Sequence, residues 1–209
     1  MIELRAGFGW ELGAFESWDA IGIKEASEIA KERGHNVADW VGEMLEAGHD
    51  SFYRVVNSTR ECYDPVSKSY KVIPGQDGRV NLEYVGDDKV VWSNSGTTIK
   101  DIGDGILNIE FHTKMNSIGG EVLQGLNKII DLAEEGYKGV VVSNNGGNFS
   151  AGANVGMIFM LAVEQEWEEL DAAVKYFQDT MMRMRYSGIP VVAAPHNMAL
   201  GGGCELCLH

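Results

Sequence analysis

The stretch Ile189-Pro190-Val191-Val192-Ala193-Ala194-Pro195-His196-Asn197-Met198-Ala199-Leu200-Gly201-Gly202-Gly203-Cys204-Glu205-Leu206 reads as a buried strand, a glycine triplet, and a helix with a carboxylate in its first turn. Upstream, Phe149-Ser150-Ala151-Gly152-Ala153-Asn154 makes a second transition from strand through loop to helix. Glycine lets backbone N–H groups face a ligand with no Cβ in the way, and a helix start adds the positive end of its dipole. Two such turns brought side by side would converge a pair of N–H donors, the arrangement that stabilises an oxyanion. Either turn alone reads equally well as a tight strand–helix connection. The presence of both, in this order, points to chemistry.

The paired segments resemble the crotonase superfamily, the enoyl-CoA hydratase and isomerase group, which carries an F-x-A-G-A-D-like turn followed by a P-V-I-A-A-x-x-G-x-A-L-G-G-G-x-E-like turn. The resemblance implies that the N–H groups of Ala153 and Gly202 hold the thioester carbonyl of an acyl-CoA. It also implies that Glu205 is the first of the hydratase's two catalytic glutamates. A helix acid offsetting the dipole is the plain alternative for Glu205, worth about 0.3–1 kcal/mol. Asn154 stands where the family usually has an acid.

Lys114, in Lys114-Met115-Asn116-Ser117-Ile118, occupies a segment similar to the family's early L-N-A-L, where basic residues meet the CoA phosphates; a solvated turn lysine fits as well. Ala151, in the first turn, is assigned with Lys114 to coenzyme contact. Met157 to Leu161 follow that turn and would line an acyl channel or simply fill core. In the family a second catalytic glutamate lies further along than His209, so residues 95–209 are expected to be a truncated crotonase-like domain, inactive alone. That makes the chain either part of a longer polypeptide or a degenerate member.

The 209 residues, 44% of them apolar and 23% charged, have an ordinary globular composition with room for one large or two small domains. No run approaches the roughly 18 apolar residues of a membrane span. Met1-Ile2-Glu3-Leu4-Arg5 lacks the plan of a signal peptide, so a cytoplasmic location is expected. A formal charge of −14 argues against nucleic acid, whose phosphates need clustered Lys and Arg, and makes coenzyme recognition depend on a few local cations. Cys62, Cys204 and Cys207 cannot make a disulfide framework and suit a reducing compartment. Cys204 and Cys207 have redox or zinc spacing but no second ligand pair, so packing is the expected role. No metal triad can be read from the five histidines.

The first half differs. Helical patterns run from about Lys24 to Gly34, with Ile29 and Ala30 on one face, and from Val37 to Ala47, with Trp40, Val41, Met44 and Leu45 inward. Gly34 and Gly48 sit where C-terminal glycines belong. Gly7-Phe8-Gly9-Trp10-Glu11-Leu12-Gly13-Ala14-Phe15-Glu16-Ser17-Trp18-Asp19-Ala20-Ile21-Gly22 follows no strand, and its third glycine is misplaced for a dinucleotide fingerprint. Its aromatics and small residues are expected to pack helices closely. It resembles G-F-G-x-x-x-G-P-F-E-x-x-D-x-x-G of the C-terminal helical domain of 3-hydroxyacyl-CoA dehydrogenases, with Ala14 in place of proline and Phe15, Glu16, Asp19 and Gly22 matching. The resemblance implies that an NAD-binding domain would lie upstream and that this chain alone does not bind NAD.

Ser51 to Val56 and Ser67 to Pro74 alternate like short strands, with a turn signal at Gly75-Gln76-Asp77-Gly78. Gly86 to Lys89 and Ser93 to Thr98 read as a linker, which gives a dehydrogenase-like domain with linker over 1–94 and a crotonase-like domain over 95–209. From Gly105 the order is strand (Ile106–Phe111), helix (Glu121–Glu135), strand (Gly139–Ser143), first turn, long helix (about Glu164–Tyr186), strand (Val191–Ala194), second turn. Alternating strands and helices predict parallel pairing, with both donor turns on one sheet edge.

The fold class is therefore α+β: a mostly helical first domain, then an incomplete ββα-spiral domain. Fused in this order, the two resemblances imply a bifunctional fatty-acid β-oxidation enzyme that hydrates 2-enoyl-CoA. A double-bond isomerase and a silent acyl-CoA-binding segment remain open beside it. A truncated sheet with uncovered edges is expected to self-associate as a homo-oligomer.

Overall fold

A computed structural model describes residue 5, residues 7–75 and residues 79–208. Part of the turn expected at Gly75–Gly78, and His209, lie outside the described residues. The fold is α+β, in two compact units that meet in sequence at Tyr84 and Val85.

In the first unit, helices α1 (Ala14–Ile21), α2 (Ile23–Glu32) and α3 (Asp39–Glu46) precede an antiparallel sheet of β1 (Tyr53–Val56), β2 (Thr59–Asp64) and β3 (Ser69–Val72). Gly22, at φ +97, ends α1 and starts α2, a left-handed position that favours glycine. At Gly34 and Gly48 the chain leaves α2 and α3 in Schellman turns, the N–H of His35 reaching the Ala30 carbonyl and that of His49 the Met44 carbonyl. The buried stripe of α2 is Ile23, Ala26 and Ser27 at i, i+3 and i+4; half-buried Ala30 continues it at i+7, whereas Ile29, expected on the same face, is exposed. Val41 and Met44 of α3 are buried as expected. Phe8 and Trp10 do not pack closely; both are exposed.

Strand β2 escaped the sequence reading because its hairpin uses Asn57-Ser58, both at positive φ, rather than Asn-Gly. The matched Glu16 and Asp19 act as local fasteners. Glu16 accepts from Gly13 N–H (2.6 Å) and from Arg60 Nη2 (2.7 Å), while Asp19 accepts from the N–H groups of Phe52 (2.7 Å) and Tyr53 (3.0 Å). Burial pushes the Glu16 carboxyl up, but these donors outweigh it and hold the group below its ordinary value. For Asp19 burial prevails, and its carboxyl titrates above the ordinary value.

The second unit is a five-stranded sheet in sequence order: β4 (Val90–Ser93), β5 (Thr97–Asp101), β6 (Ile106–Phe111), β7 (Gly139–Ser143) and β8 (Val191–Ala193). β4 to β6 are antiparallel neighbours, and β6, β7 and β8 are parallel. Of the stretch read as a linker, Asp87–Lys89 is a single 3-10 turn, while Ser93–Thr98 is the bend of the β4–β5 hairpin, which a boundary at residue 95 would cut; Asn94 Oδ1 closes that bend by accepting from the N–H groups of Gly96 and Thr97.

Leu107, Ile109 and Phe111 alternate inward from β6 against Val122, Leu126, Ile129, Ile130 and Ala133 of α4 (Gly120–Glu134), all buried. Gly125 lets α4 approach closely, since a Cβ there would stand 2.3 Å from Thr97 Oγ1. The expected long helix is α6 (Trp167–Arg185); a separate helix, α5 (Val155–Val163), precedes it, and Gln165, at φ +61, lies between the two. α7 (Gly202–Leu208) closes the described chain. Among the described residues no helix is long and apolar enough to cross a membrane.

Candidate active site

Because β6, β7 and β8 run parallel, the loops that leave them collect on one edge of the sheet. The loops keep the strand order. A bridge pairs Ile118, after β6, with Ala153, after β7, and another pairs Ser150 with Ala199, after β8. In the first bridge Ile118 N–H donates to the Gly152 carbonyl (2.8 Å) and Asn154 N–H donates to the Ile118 carbonyl (3.2 Å). Extended backbone alternates sides, so these bonds turn the Ala153 N–H the other way, towards the loop after β8.

Each glycine here has a separate reason. Gly152 sits at φ +96, and a Cβ on it would lie 2.6 Å from the Leu200 carbonyl oxygen. On Gly203 a Cβ would stand 2.7 Å from Ser150 Cβ, and on Gly202 it would stand 2.8 Å from Phe177 Cζ and 3.2 Å from Ala153 N. The two glycine turns are thus in van der Waals contact. The N–H groups of Ala153 and Gly202 make no hydrogen bond among the described residues, whereas those of Gly203, Cys204 and Glu205 return to the carbonyls of Leu200 and Gly201.

Buried polar side chains hold the turn. Ser150 Oγ donates to the Asn116 carbonyl (2.7 Å) and accepts from Gly152 N–H (3.0 Å). Asn116 Nδ2 donates to the Asn148 carbonyl (2.9 Å), and Asn144 Nδ2 to that of Phe149 (2.8 Å). Met115 and Asn116 are both left-handed, at φ +56 and +50, and this strain is carried by the Ser150 bond and by Ala151 N–H donating to the Met115 carbonyl (3.1 Å).

A cavity of about 390 Å³ opens beside the turns, with Ala153 and Glu205 among its lining residues. Its walls are mostly apolar: Ile118 and Leu123 from the α4 side, Met157 and Ile158 from α5, and Ala173, Val174 and Phe177 from α6. Glu205 is exposed and is the one carboxylate among the described lining residues. Gly202 stands at the margin, against Phe177 and Ala153.

Of the residues singled out from sequence, Ala153, Gly202 and Glu205 therefore come together. Lys114 is exposed one residue before Met115, whose carbonyl anchors Ala151, so those two also fall close together. Asn154 caps α5, its Oδ1 accepting from Met157 N–H (3.2 Å). Of Met157 to Leu161, only Met157 and Ile158 line the cavity; Phe159 and Met160 are exposed. Cys207 is half-buried, and burial pushes its thiol up.

The family model described as enoyl-CoA hydratase/isomerase matches residues 101–209, just over half of the chain. The chain belongs to this family. A relative in Bacillus subtilis (strain 168), named "Probable 3-hydroxyacyl-CoA dehydrogenase", is 42% identical over 98% of this chain and 26% of its own length. The fatty acid oxidation complex subunit alpha of Psychrobacter cryohalolentis is 30% identical over 57% of this chain and 17% of its own. The chain thus spans about a quarter, or less, of the length of these relatives. The solved enoyl-CoA hydratase from Bacillus halodurans superimposes with a TM-score of 0.50 at 19% identity, over 55% of this chain and 47% of that one, a likeness of fold.

Within this hydratase/isomerase-family unit the sequence reading missed the α6 wall. Ala173 and Phe177, four apart, share a helix face that the spacing alone could have shown, but nothing in the spacing says that the face meets a cavity.

Proposed function

We propose that this chain, as part of a longer polypeptide, binds an acyl-CoA with its thioester oxygen between the N–H groups of Ala153 and Gly202, and contributes Glu205 to hydration of the double bond of a 2-enoyl-CoA. The supporting observation is the pair of unpaired amides in touching turns, beside an apolar cavity that also holds Glu205. The oxygen of water bonds to C3 as its proton passes to Glu205. The C2–C3 π electrons move towards C1, the carbonyl oxygen takes up charge, and the two amides stabilise it; one such donor is worth on the order of 3–4 kcal/mol. Return of the carbonyl takes a proton at C2 from a second acid, which the family resemblance puts further along the polypeptide than Glu205.

The wider setting we infer is fatty-acid β-oxidation, with the 3-hydroxyacyl-CoA product oxidised by an NAD-dependent dehydrogenase domain outside these residues. The names of both relatives support that setting. Coenzyme phosphates would meet Lys114 near the Ala151 turn. The position of Glu205 on the cavity wall beside the amides also fits a second reading, in which Glu205 shuttles a proton between C2 and C4 of an enoyl-CoA.

The test is crotonyl-CoA hydration by the full-length polypeptide carrying these residues, followed by loss of the enoyl-thioester absorbance. Glu205→Gln is expected to abolish it, and retained hydration would refute the role of Glu205. Migration of a 3-enoyl double bond without net hydration would select the isomerase.

A further inference from the structure

One aromatic ring closes the amide end of the cavity. Phe177 is half-buried and packs against the main core, which fixes its ring. Its Cζ and Cε2 lie 2.8 and 3.2 Å from the point where a Gly202 Cβ would stand, and Ala153 N lies 3.2 Å from that same point. An acyl oxygen held between these amides would lie near the ring, and the carbon attached to the carbonyl, two bonds from that oxygen, would lie within the ring's reach. Ala173, four residues before Phe177 on the same face of α6, presents only a methyl to the cavity, and Val174, Leu123 and Ile158 add to its apolar wall.

We propose, resting on the acyl-CoA reading above, that Phe177 is a specificity-determining residue that admits straight-chain acyl groups and rejects those branched at the carbon next to the thioester carbonyl. Each added methylene of a straight chain is buried among apolar side chains, which is worth about fourfold in affinity. A methyl branch beside the carbonyl must occupy the space held by the ring, and a close-packed wall yields little, so the loss is roughly tenfold or more.

Titration calorimetry of the full-length polypeptide with acetyl-, butanoyl-, hexanoyl- and 2-methylpropanoyl-CoA tests this with saturated, unreactive probes. Butanoyl and 2-methylpropanoyl are isomers, so apolar transfer hardly separates them. The branched isomer is expected to bind at least about tenfold more weakly, and hexanoyl about fifteenfold more tightly than butanoyl. Phe177→Ala should bring the isomers within about twofold of each other, and the milder Phe177→Leu should narrow the gap should the alanine variant not fold. Ala173→Phe should weaken hexanoyl binding several-fold more than acetyl binding. Equal affinity for the isomers in the natural protein, or undiminished discrimination in both Phe177 variants, overturns the inference and leaves the acyl-CoA reading standing. Failure of every thioester to bind overturns that reading itself.

Discussion

Gly202→Ala should remove catalysis and leave the fold standing. Unlike Gly152 and Gly201, Gly202 is not left-handed, so alanine meets no backbone strain there. Its methyl would lie 2.8 Å from Phe177 Cζ and 3.2 Å from Ala153 N, both tighter than ordinary packing. Overpacking of this kind costs about 1–3 kcal/mol, partly offset by up to about 1 kcal/mol from replacing glycine in a helix. The net loss of stability should be about 0–3 kcal/mol. The same methyl, 3.2 Å from Ala153 N, is expected to hinder an acyl oxygen from reaching that amide, and loss of one oxyanion donor lowers kcat roughly 100- to 1000-fold.

Gly152→Ala gives the contrast. There the methyl would face the Leu200 carbonyl oxygen at 2.6 Å from a left-handed residue, so folding itself should suffer, by about 2 kcal/mol or more. Crotonyl-CoA kinetics and urea denaturation on both variants separate the cases. Should Gly202→Ala keep kcat within threefold of the natural protein while folding normally, the two-amide site is wrong.

Gly125→Ala should push α4 off β5, because its methyl would meet Thr97 Oγ1 at 2.3 Å and Ile109 Cδ1 at 3.0 Å; a loss of about 1–3 kcal/mol by urea denaturation is expected. Asn154→Ala removes the cap of α5 and should cost about 1 kcal/mol, whereas Asn154→Asp keeps the acceptor and should match or exceed the natural stability. Glu16 titrates below its ordinary value of 4.5, so its contribution is complete above pH 4.5 and drains away as pH falls through the lower folded value. Glu16→Gln should therefore lose on the order of 1 kcal/mol near neutrality and show a shallower decline of stability below pH 4.5, measured by urea denaturation across pH.

Much of the second unit is legible from local chemistry. Alternation marks β6, the 3.6-residue stripe marks α4, and the apolar runs of β7 and β8 are bounded by glycine and proline, because each pattern reports a face that must be buried. Hairpins were harder. The pairing of β4 with β5 depends on Asn94 closing a turn in a polar stretch that composition alone assigns to a linker, and β2 depends on Asn57 and Ser58 both accepting left-handed backbone. In α2 the adjacency of Ile29 to Ala30 misled, because helix burial follows spacing and not adjacency.

The sequence by itself determined the two glycine-bearing turns, at Gly152 and at Gly201–Gly203, and the carboxylate of Glu205 that follows the second. Tertiary structure alone decided that Ala153 turns its N–H away from Ile118, that Gly202 meets it across two loops, and that Phe177 stands beside both. The physical reason is range. Backbone conformation and amphipathic spacing are set within a few residues, whereas a cavity is the space left when distant helices settle on a sheet, and no local pattern encodes its walls.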